Sequence, residues 1–141
     1  IAVDISEAAL VIADDNRRTH GLYSRVELRR GDLLEPIIDK IDILVSNPPY
    51  IRSDKLTSLQ EEVLKEPMVA LDGGYDGLEL IKKLLFQAVD KMSNPLVILF
   101  EIDSDQAAEA VKSSQQFFPS AIITVLKDLS NNERAVLLEI R

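Results

Sequence analysis

The sequence predicts an α/β domain built on a largely parallel sheet. Apolar segments of strand length alternate with amphipathic segments of helix length along most of the chain, a pattern typical of this class. Three of the predicted strands end at or just before a polar residue: Asp4, Asp32 and Asn47. Because ligands of open α/β sheets bind at the carboxyl ends of the strands, these three residues are candidates for a functional site.

Composition limits the classes of protein that need to be considered. A chain of 141 residues suits a single domain, and its 46% hydrophobic and 28% charged residues are ordinary for a globular protein. No apolar segment approaches the roughly 20 residues of a membrane span. The absence of cysteine excludes disulfides and suits a reducing cytoplasm, while a single histidine argues against a histidine-built metal site.

The charge of the chain argues against double-stranded DNA as a substrate. The sequence has 24 acidic and 16 basic residues, which gives a net charge of −8. A nucleic-acid binder needs a basic surface for the phosphates, and the one basic cluster, residues 25–30 with Arg17 and Arg18, is small. A protein substrate that carries positive charge fits this chain better.

The first part of the chain is predicted to fold as strand, helix and strand. Residues 1–5 have the composition of a short buried strand, and Ser6 can cap a helix over residues 7–20. Gly21 suits the position just past the end of that helix. Residues 25–29 alternate between apolar and polar and therefore predict a half-exposed strand.

Two aspartates in this part are candidate cofactor ligands. Asp4 ends the first strand, where a carboxylate can accept both hydroxyls of a ribose; a second helix cap or a surface acid is the alternative. Asp32 follows the second strand and can accept a hydrogen bond from an adenine amino group, supported by the Leu33 backbone, or can be a generic turn residue. His20, in the last turn of the helix, is better explained as complementing the helix dipole than as catalytic.

The most informative stretch is Ser46-Asn47-Pro48-Pro49-Tyr50, which we call the proline corner. It follows residues 41–45, an apolar segment with the length and β-branched content of a buried central strand. Two prolines cannot continue a ladder, and the residue before a proline is restricted to extended conformations. The sequence therefore predicts a rigid bend that displays one amide side chain, free proline carbonyls and one aromatic ring.

Such a corner suits chemistry on a planar nitrogen. The Asn47 side-chain oxygen and a neighbouring carbonyl can each accept one hydrogen bond from an NH2 group, and together they favour the positive charge that the nitrogen gains as it attacks an electrophile. The Tyr50 ring can stack on a flat amide or base. The alternative is a simple turn, because Asn and Pro both favour turns.

The proline corner also carries a resemblance to a known family. Asn47-Pro48-Pro49-Tyr50 matches the Asn/Asp-Pro-Pro-Tyr/Phe motif of amino-methyltransferases that use S-adenosylmethionine. A longer pattern resembles the HemK/PrmC family of protein-(glutamine N5) methyltransferases, which act on peptide-chain release factors. That pattern comprises residues 46–51, Glu66-Pro67, Ala70-Leu71, Gly73-Gly74 and Asp76-Gly77-Leu78. The similarity to this family runs over nearly the whole chain. The longer pattern is more specific than the tetrapeptide, which DNA adenine methyltransferases share.

The resemblance implies a Rossmann-like class I methyltransferase fold, S-adenosylmethionine as cofactor and the Gly-Gly-Gln segment of a release factor as substrate. In such enzymes the residue at the Asp4 position binds the ribose, and the residue after it packs against the adenine. The implied cofactor-binding residues are Asp4, Ile5, Asp32, Leu33 and Asn47. The implied substrate-binding residues are Asn47, Pro48, Pro49 and Tyr50, of which Asn47, Pro48 and Tyr50 are catalytic.

The rest of the chain is predicted to complete the domain. Residues 51–75 form an irregular loop with a short helix at 59–65, and a loop of this length beside the proline corner is usually functional. The elements predicted after it are a helix over residues 76–92, a strand over 95–102, a helix capped by Asp103 or Ser104, and strands over 121–126 and 134–140. The last two strands suit an antiparallel hairpin, whose loop has Asn131-Asn132 where the family usually has a glycine.

One expected feature is absent from the sequence. No G-x-G-x-x-G stretch occurs, and the chain opens with Ile1 inside what looks like a strand. We therefore expect a first strand, a glycine-rich loop and a helical substrate-recognition domain upstream, so that residues 1–141 form a catalytic domain that is incomplete at its N-terminus. Two alternatives stay open: methylation of an exocyclic amine of a nucleic acid base, and a non-catalytic interaction domain, which the missing loop favours.

Overall fold

A computed structural model describes residues 1–140, and side chains are described at all of these positions except 92, 94 and 95. The chain divides into two compact units, unit 1 over Ile1–Asp39 and unit 2 over Lys40–Arg141. No helix of the described residues is long and apolar enough to cross a membrane.

Unit 1 has the predicted order of strand, helix and strand. The strands β1 (Ala2–Asp4) and β2 (Leu28–Arg30) pair in parallel, and the helix α1 (Glu7–Thr19) packs on both. The Ser6 hydroxyl accepts a hydrogen bond from the Ala9 N–H at 3.3 Å, and Gly21 has a φ of +64°. Both helix boundaries are therefore confirmed, whereas β2 begins three residues later than predicted.

The described residues of unit 2 form four strands and two α-helices, joined in part by short 3-10 helices. The strands are β3 (Ile41–Ser46), β4 (Met92–Glu101), β5 (Ile122–Lys127) and β6 (Glu133–Ile140). The helices are α2 (Glu79–Val89) and α3 (Ala107–Phe117). The loop that follows β3 contains 3-10 helices at Ser53–Ser58, Val63–Lys65 and Met68–Ala70, where a single short helix was predicted.

The sheet of unit 2 is mixed, with the strand order β3-β4-β6-β5. β3 and β4 are parallel, whereas β6 is antiparallel to both of its neighbours, β4 and β5. The predicted C-terminal antiparallel hairpin is thus confirmed. Parallel pairing, as predicted, is found within unit 1 between β1 and β2 and within unit 2 between β3 and β4. The position of β6 between β4 and β5 creates two antiparallel pairs, where the predicted hairpin has one.

One face of this sheet packs against the two helices and forms the core. α2 contacts β4, and α3 contacts β5 and β6. Side chains from both layers are almost completely removed from solvent, which is the main favourable contribution to folding. The largest of these are Phe100, Leu78, Ile81, Leu84, Leu85, Leu96, Ile98, Ile102 and Leu138.

The prediction that residues 41–45 form a buried central strand was wrong. β3 is at one end of the strand order of unit 2, and its side chains alternate between the two faces of the sheet. Leu44 lies on the face covered by the helices and is 8% exposed, whereas Ile43 and Val45 on the other face are each 68% exposed. An apolar run fits either a strand buried on both faces or a strand with an exposed apolar face, so the sequence could not separate the two.

The start of α3 also differs from the prediction. The helix begins at Ala107 and is not capped by Asp103 or Ser104, since residues 103–106 form a separate turn. That turn is closed by the Gln106 N–H, which donates to the Asp103 carbonyl at 3.0 Å. The turn delays the helix by several residues and brings Gln106 to its N-terminus.

Candidate active site

The two candidate aspartates of unit 1 lie at one edge of its sheet. Because β1 and β2 are parallel, with Asp4 opposite Arg30, both strands end on the same side. The Gly31 N–H donates to the Asp4 carbonyl at 3.1 Å, which carries the chain toward Asp32 directly beside the end of β1. Asp32 is followed by Leu33, whose φ of +53° is uncommon for a residue other than glycine.

The Asp4 side chain supports the local backbone and is also accessible to solvent. Its Oδ1 accepts a hydrogen bond from the Ser6 N–H at 2.7 Å, which supports the turn into α1. The alternative prediction for Asp4 was a second helix cap, and this hydrogen bond just before α1 agrees with part of that role. Asp4 is nevertheless exposed, and the neighbouring Ile5 side chain is 50% exposed, so a carboxylate oxygen and an apolar surface are both accessible to a ligand.

The proline corner lies in unit 2, at the carboxyl end of β3. The strand stops at Ser46, as predicted from the two prolines that follow. Pro48 is buried and anchors the bend, while Asn47 is exposed. Among the residues that the structure describes, the Asn47 side chain and the Pro48 carbonyl form no hydrogen bond, so both remain available as acceptors.

The loop after β3 folds back to support this corner. The Ile51 N–H donates to the Leu71 carbonyl at 3.0 Å, and the Gly73 N–H donates to the Ile51 carbonyl at 2.8 Å. These bonds form an isolated parallel bridge between Ile51 and Asp72. The prediction that residues 51–75 flank the proline corner is confirmed within unit 2.

Gly73, the first glycine of the Gly73-Gly74 pair in the longer motif, lies directly against the backbone of the proline corner. A β-carbon at Gly73 would lie 2.7 Å from the Tyr50 Cα and 2.8 Å from the Pro49 carbonyl oxygen. Real side chains do not reach such distances to backbone atoms, so Gly73 permits the loop to press directly against the corner. The Gly-Gly pattern therefore has a packing reason at this position.

Tyr50 is held by two side chains that sequence reasoning did not select. Its hydroxyl donates a hydrogen bond to Glu101 Oε1 at 2.9 Å, and its backbone carbonyl accepts one from Gln106 Nε2 at 2.8 Å. Burial of the phenol, followed by its hydrogen bond to Glu101 and the negative charge of Glu101, raises the pKa of Tyr50 above its ordinary value. The phenol therefore stays protonated and acts as a hydrogen-bond donor at neutral pH.

A signal for Glu101 was present in the sequence, whereas none was present for Gln106. Glu101 is the last residue of β4, a strand parallel to β3, and acids at strand ends were the rule that singled out Asp4. Gln106 precedes α3 and resembles any polar residue near a helix start. Its contact with Tyr50 spans 56 positions of the chain, which local patterns cannot reveal.

The predicted site residues thus fall into two groups, one in each unit. Asp4, Ile5, Asp32 and Leu33 belong to unit 1, and Asn47, Pro48, Pro49 and Tyr50 belong to unit 2. Over residues 1–140, no three histidine or acidic side chains are arranged so that they could hold a metal ion. The predicted site residues offer carboxylates at the strand ends of unit 1, and amide, carbonyl and phenol groups after β3 in unit 2.

Comparisons with known proteins show which family the chain resembles. Residues 1–77 match the model of the methyltransferase small domain. The release factor glutamine methyltransferase of Bacillus subtilis is 38% identical over 139 residues, which cover 96% of this chain and 48% of that protein. The ribosomal protein uL3 glutamine methyltransferase of Bradyrhizobium diazoefficiens is 40% identical over 102 residues, covering 72% of this chain and 32% of that protein.

Solved structures show the same fold. The ribosomal protein L11 methylase from Lactobacillus delbrueckii subsp. bulgaricus superimposes with a TM-score of 0.63 over 99% of this chain and 55% of its own, at 20% identity. The fold is that of a class I, Rossmann-like S-adenosylmethionine-dependent methyltransferase with C-terminal antiparallel strands. The chain belongs to the HemK/PrmC family of release factor glutamine methyltransferases. It spans half or less of the length of the curated relatives that it matches.

Proposed function

We propose that the protein transfers a methyl group from S-adenosylmethionine to the side-chain amide nitrogen of a glutamine in a protein. The substrate is the Gly-Gly-Gln segment of a peptide-chain release factor. One observation carries the proposal: an exposed Asn47 side chain, with no hydrogen-bond partner in the described chain, stands at the carboxyl end of β3 on a proline-stiffened bend. The family of the chain supports the choice of glutamine.

In this proposal the proline corner orients the substrate nitrogen. Asn47 Oδ1 and the Pro48 carbonyl each accept one N–H of the glutamine amide, and Pro49 keeps the bend rigid. Both acceptors favour the positive charge that develops on the nitrogen as it is methylated. The Tyr50 ring packs on the amide plane, which fixes the direction in which the nitrogen attacks. Orientation of this kind can supply roughly 7–11 kcal/mol of the barrier reduction.

The residues at the strand edge of unit 1 fit the adenosine part of the cofactor. S-adenosylmethionine supplies an electrophilic methyl group on a sulfonium sulfur. The exposed Asp4 carboxylate suits the ribose hydroxyls, and the half-exposed Ile5 side chain offers an apolar surface for the adenine. Asp32 would accept a hydrogen bond from the adenine amino group, and the Leu33 backbone would support this contact.

A methyl-transfer assay with the full-length protein tests this function. Purified release factor, ribosomal protein uL3 and an adenine-containing DNA duplex are each incubated with S-adenosylmethionine labelled in its methyl group. We expect incorporation into the release factor, and its loss when the Gly-Gly-Gln glutamine is replaced by alanine. Incorporation only into uL3 would overturn the choice of substrate, and incorporation only into DNA would overturn glutamine methylation.

The same preparation separates an enzyme from a non-catalytic interaction domain. Isothermal titration of S-adenosylmethionine into the full-length protein should give saturable binding at one site. Absence of binding would favour the interaction domain. A cytoplasmic location accompanies the proposal, because release factors act on ribosomes and the chain has no cysteine that would need an oxidising compartment.

A further inference from the structure

We propose that Glu101 and Gln106 are positioning residues that hold Tyr50 from both ends and thereby set the orientation of its ring. The inference rests on the proposed role of the proline corner and adds two residues to it. Tyr50 is bound to one of them through its hydroxyl and to the other through its backbone carbonyl.

Gln106 is a buried polar side chain whose two ends are both used. It is 6% exposed, its Nε2 donates to the Tyr50 carbonyl at 2.8 Å, and its Oε1 accepts from the Asp103 N–H at 2.9 Å. Rotation of the carboxamide by half a turn would place like groups against each other and break both bonds. A buried polar group that lost these partners would cost free energy, so the arrangement has one orientation.

Glu101 fixes the far end of the same residue. It is the last residue of β4, and its neighbour Phe100 is paired with Ser46, the first residue of the proline corner. The hydrogen bond from the Tyr50 hydroxyl to Glu101 Oε1, at 2.9 Å, therefore ties the tip of the ring to the strand that pairs with β3. With the backbone also held, the ring has little freedom about its side-chain torsions.

The two contacts are directed at the proline corner and not at the apolar core. Each joins a residue that follows or ends β4 to a residue that follows β3, and both end on Tyr50. If the ring packs on the substrate amide, its displacement changes the alignment of the reacting nitrogen. Misplacement of the nitrogen by about 1 Å can cost about 100-fold in rate. The proposed binding of the cofactor by the residues of unit 1 does not involve Tyr50 and should not change.

Steady-state methylation of a release factor by the full-length protein provides the kinetic test. Gln106→Glu keeps an acceptor for the Asp103 N–H but has no N–H for the Tyr50 carbonyl, and Glu101→Ala removes the acceptor of the phenol. We expect each to lower kcat at least tenfold with the KM for S-adenosylmethionine within about threefold. Glu101→Gln retains an acceptor oxygen and should recover most of the activity.

Two comparisons distinguish positioning from a general loss of stability. Gln115→Glu, at an exposed position of α3, should leave kcat unchanged. In a Tyr50→Phe background, Glu101→Ala should have no further effect on kcat, because the hydroxyl that it serves is gone. Unchanged kcat in Gln106→Glu, or an equal loss from Glu101→Ala with and without the Tyr50 hydroxyl, would overturn the proposal.

A measurement that does not depend on activity tests the contact between Glu101 and Tyr50 separately from the proposed methylation of a release factor. Ionisation of Tyr50 is followed by ultraviolet absorbance, as the difference between each protein and its Tyr50→Phe version. Burial of the phenol raises its pKa most, and the hydrogen bond and negative charge of Glu101 raise it further, so Glu101→Gln should let Tyr50 ionise at lower pH. An unchanged titration would show that Glu101 does not contact the phenol, whether or not the protein methylates a release factor.

Discussion

Gly77 lies so close to Tyr50 that no side chain can be built at position 77. A β-carbon there would collide with the Tyr50 carbonyl oxygen and with Gln106 Nε2, the two atoms that form the hydrogen bond described above. The backbone of Gly77 also has a φ of +74°. The glycine of the Asp-Gly-Leu motif therefore leaves the space in which Gln106 reaches the proline corner.

Gly77→Ala should strongly destabilise the protein. The positive φ costs about 1–2 kcal/mol for a residue with a β-carbon, and overpacking against fixed atoms adds about 1–3 kcal/mol. We expect the free energy of unfolding, measured with urea, to fall by about 2–5 kcal/mol. Gly74→Ala is the matched control, since Gly74 also has a positive φ but its β-carbon would meet the movable Glu79 side chain. Equal losses in both variants would contradict the steric explanation.

Asn47→Ala should lower kcat for release-factor methylation by at least about 100-fold, the usual effect of removing one preorganised polar group from a reacting centre. Asn47 is exposed, so the variant should fold normally, and its affinity for S-adenosylmethionine should stay within a few-fold. Steady-state kinetics and calorimetric titration measure the two effects separately. Asn47→Asp retains acceptor oxygens and should keep measurable activity, whereas unchanged turnover in Asn47→Ala would refute the assigned role.

Asp4→Ala should weaken the binding of S-adenosylmethionine by about 1–3 kcal/mol, the range for a charge-assisted hydrogen bond that loses one partner. The measurement is calorimetric titration of the full-length protein. Asp15→Ala, at an exposed position of α1, serves as the control and should not change the affinity. If Asp4→Ala binds the cofactor as the unaltered protein does, Asp4 has only its structural role beside Ser6.

Asp128 should make the stability of the loop between β5 and β6 depend on pH. Its Oδ1 accepts hydrogen bonds from the backbone N–H groups of Ser130 and Asn132, each at 2.9 Å, and these bonds lower the pKa of the carboxyl. Because the pKa is lower in the folded than in the unfolded state, the contribution is present above the unfolded value and is lost as pH falls through the folded one.

Thermal melting of the unaltered protein and of Asp128→Asn measures this dependence. The unaltered protein should have the higher Tm at pH 5–7, and the difference should shrink as pH falls below about 4, where an unperturbed aspartate becomes protonated. A difference in Tm that is independent of pH would mean that the charge of Asp128 does not strengthen these bonds.

Local signals explain why some elements could be predicted closely. α1 was predicted within one residue because Ser6 and Gly21 each act on the backbone of the helix end beside them. The end of β3 was also predicted closely, because a proline has no backbone N–H to donate and therefore cannot continue the pairing of a strand. In the loop after β5, Asn131 adopts a φ of +67°, the left-handed geometry that the sequence indicated.

Predictions that depended on distant partners were less reliable. The burial of β3 was overestimated because the sequence does not state which strands flank it. The start of α3 was predicted too early, since Gln106 uses its side chain for a turn and for Tyr50 in place of a regular cap. In both cases tertiary contacts overrode a local preference.

The sequence by itself determined the bend at Asn47-Pro48-Pro49-Tyr50 and its position after a strand, because proline restricts the backbone of its immediate neighbours whatever surrounds them. Only the tertiary structure decided that Glu101 and Gln106, 51 and 56 positions further along the chain, meet Tyr50. The parallel pairing of β3 with β4 brings the ends of both strands to one edge of the sheet, and such pairing is a property of the whole fold and not of any local stretch.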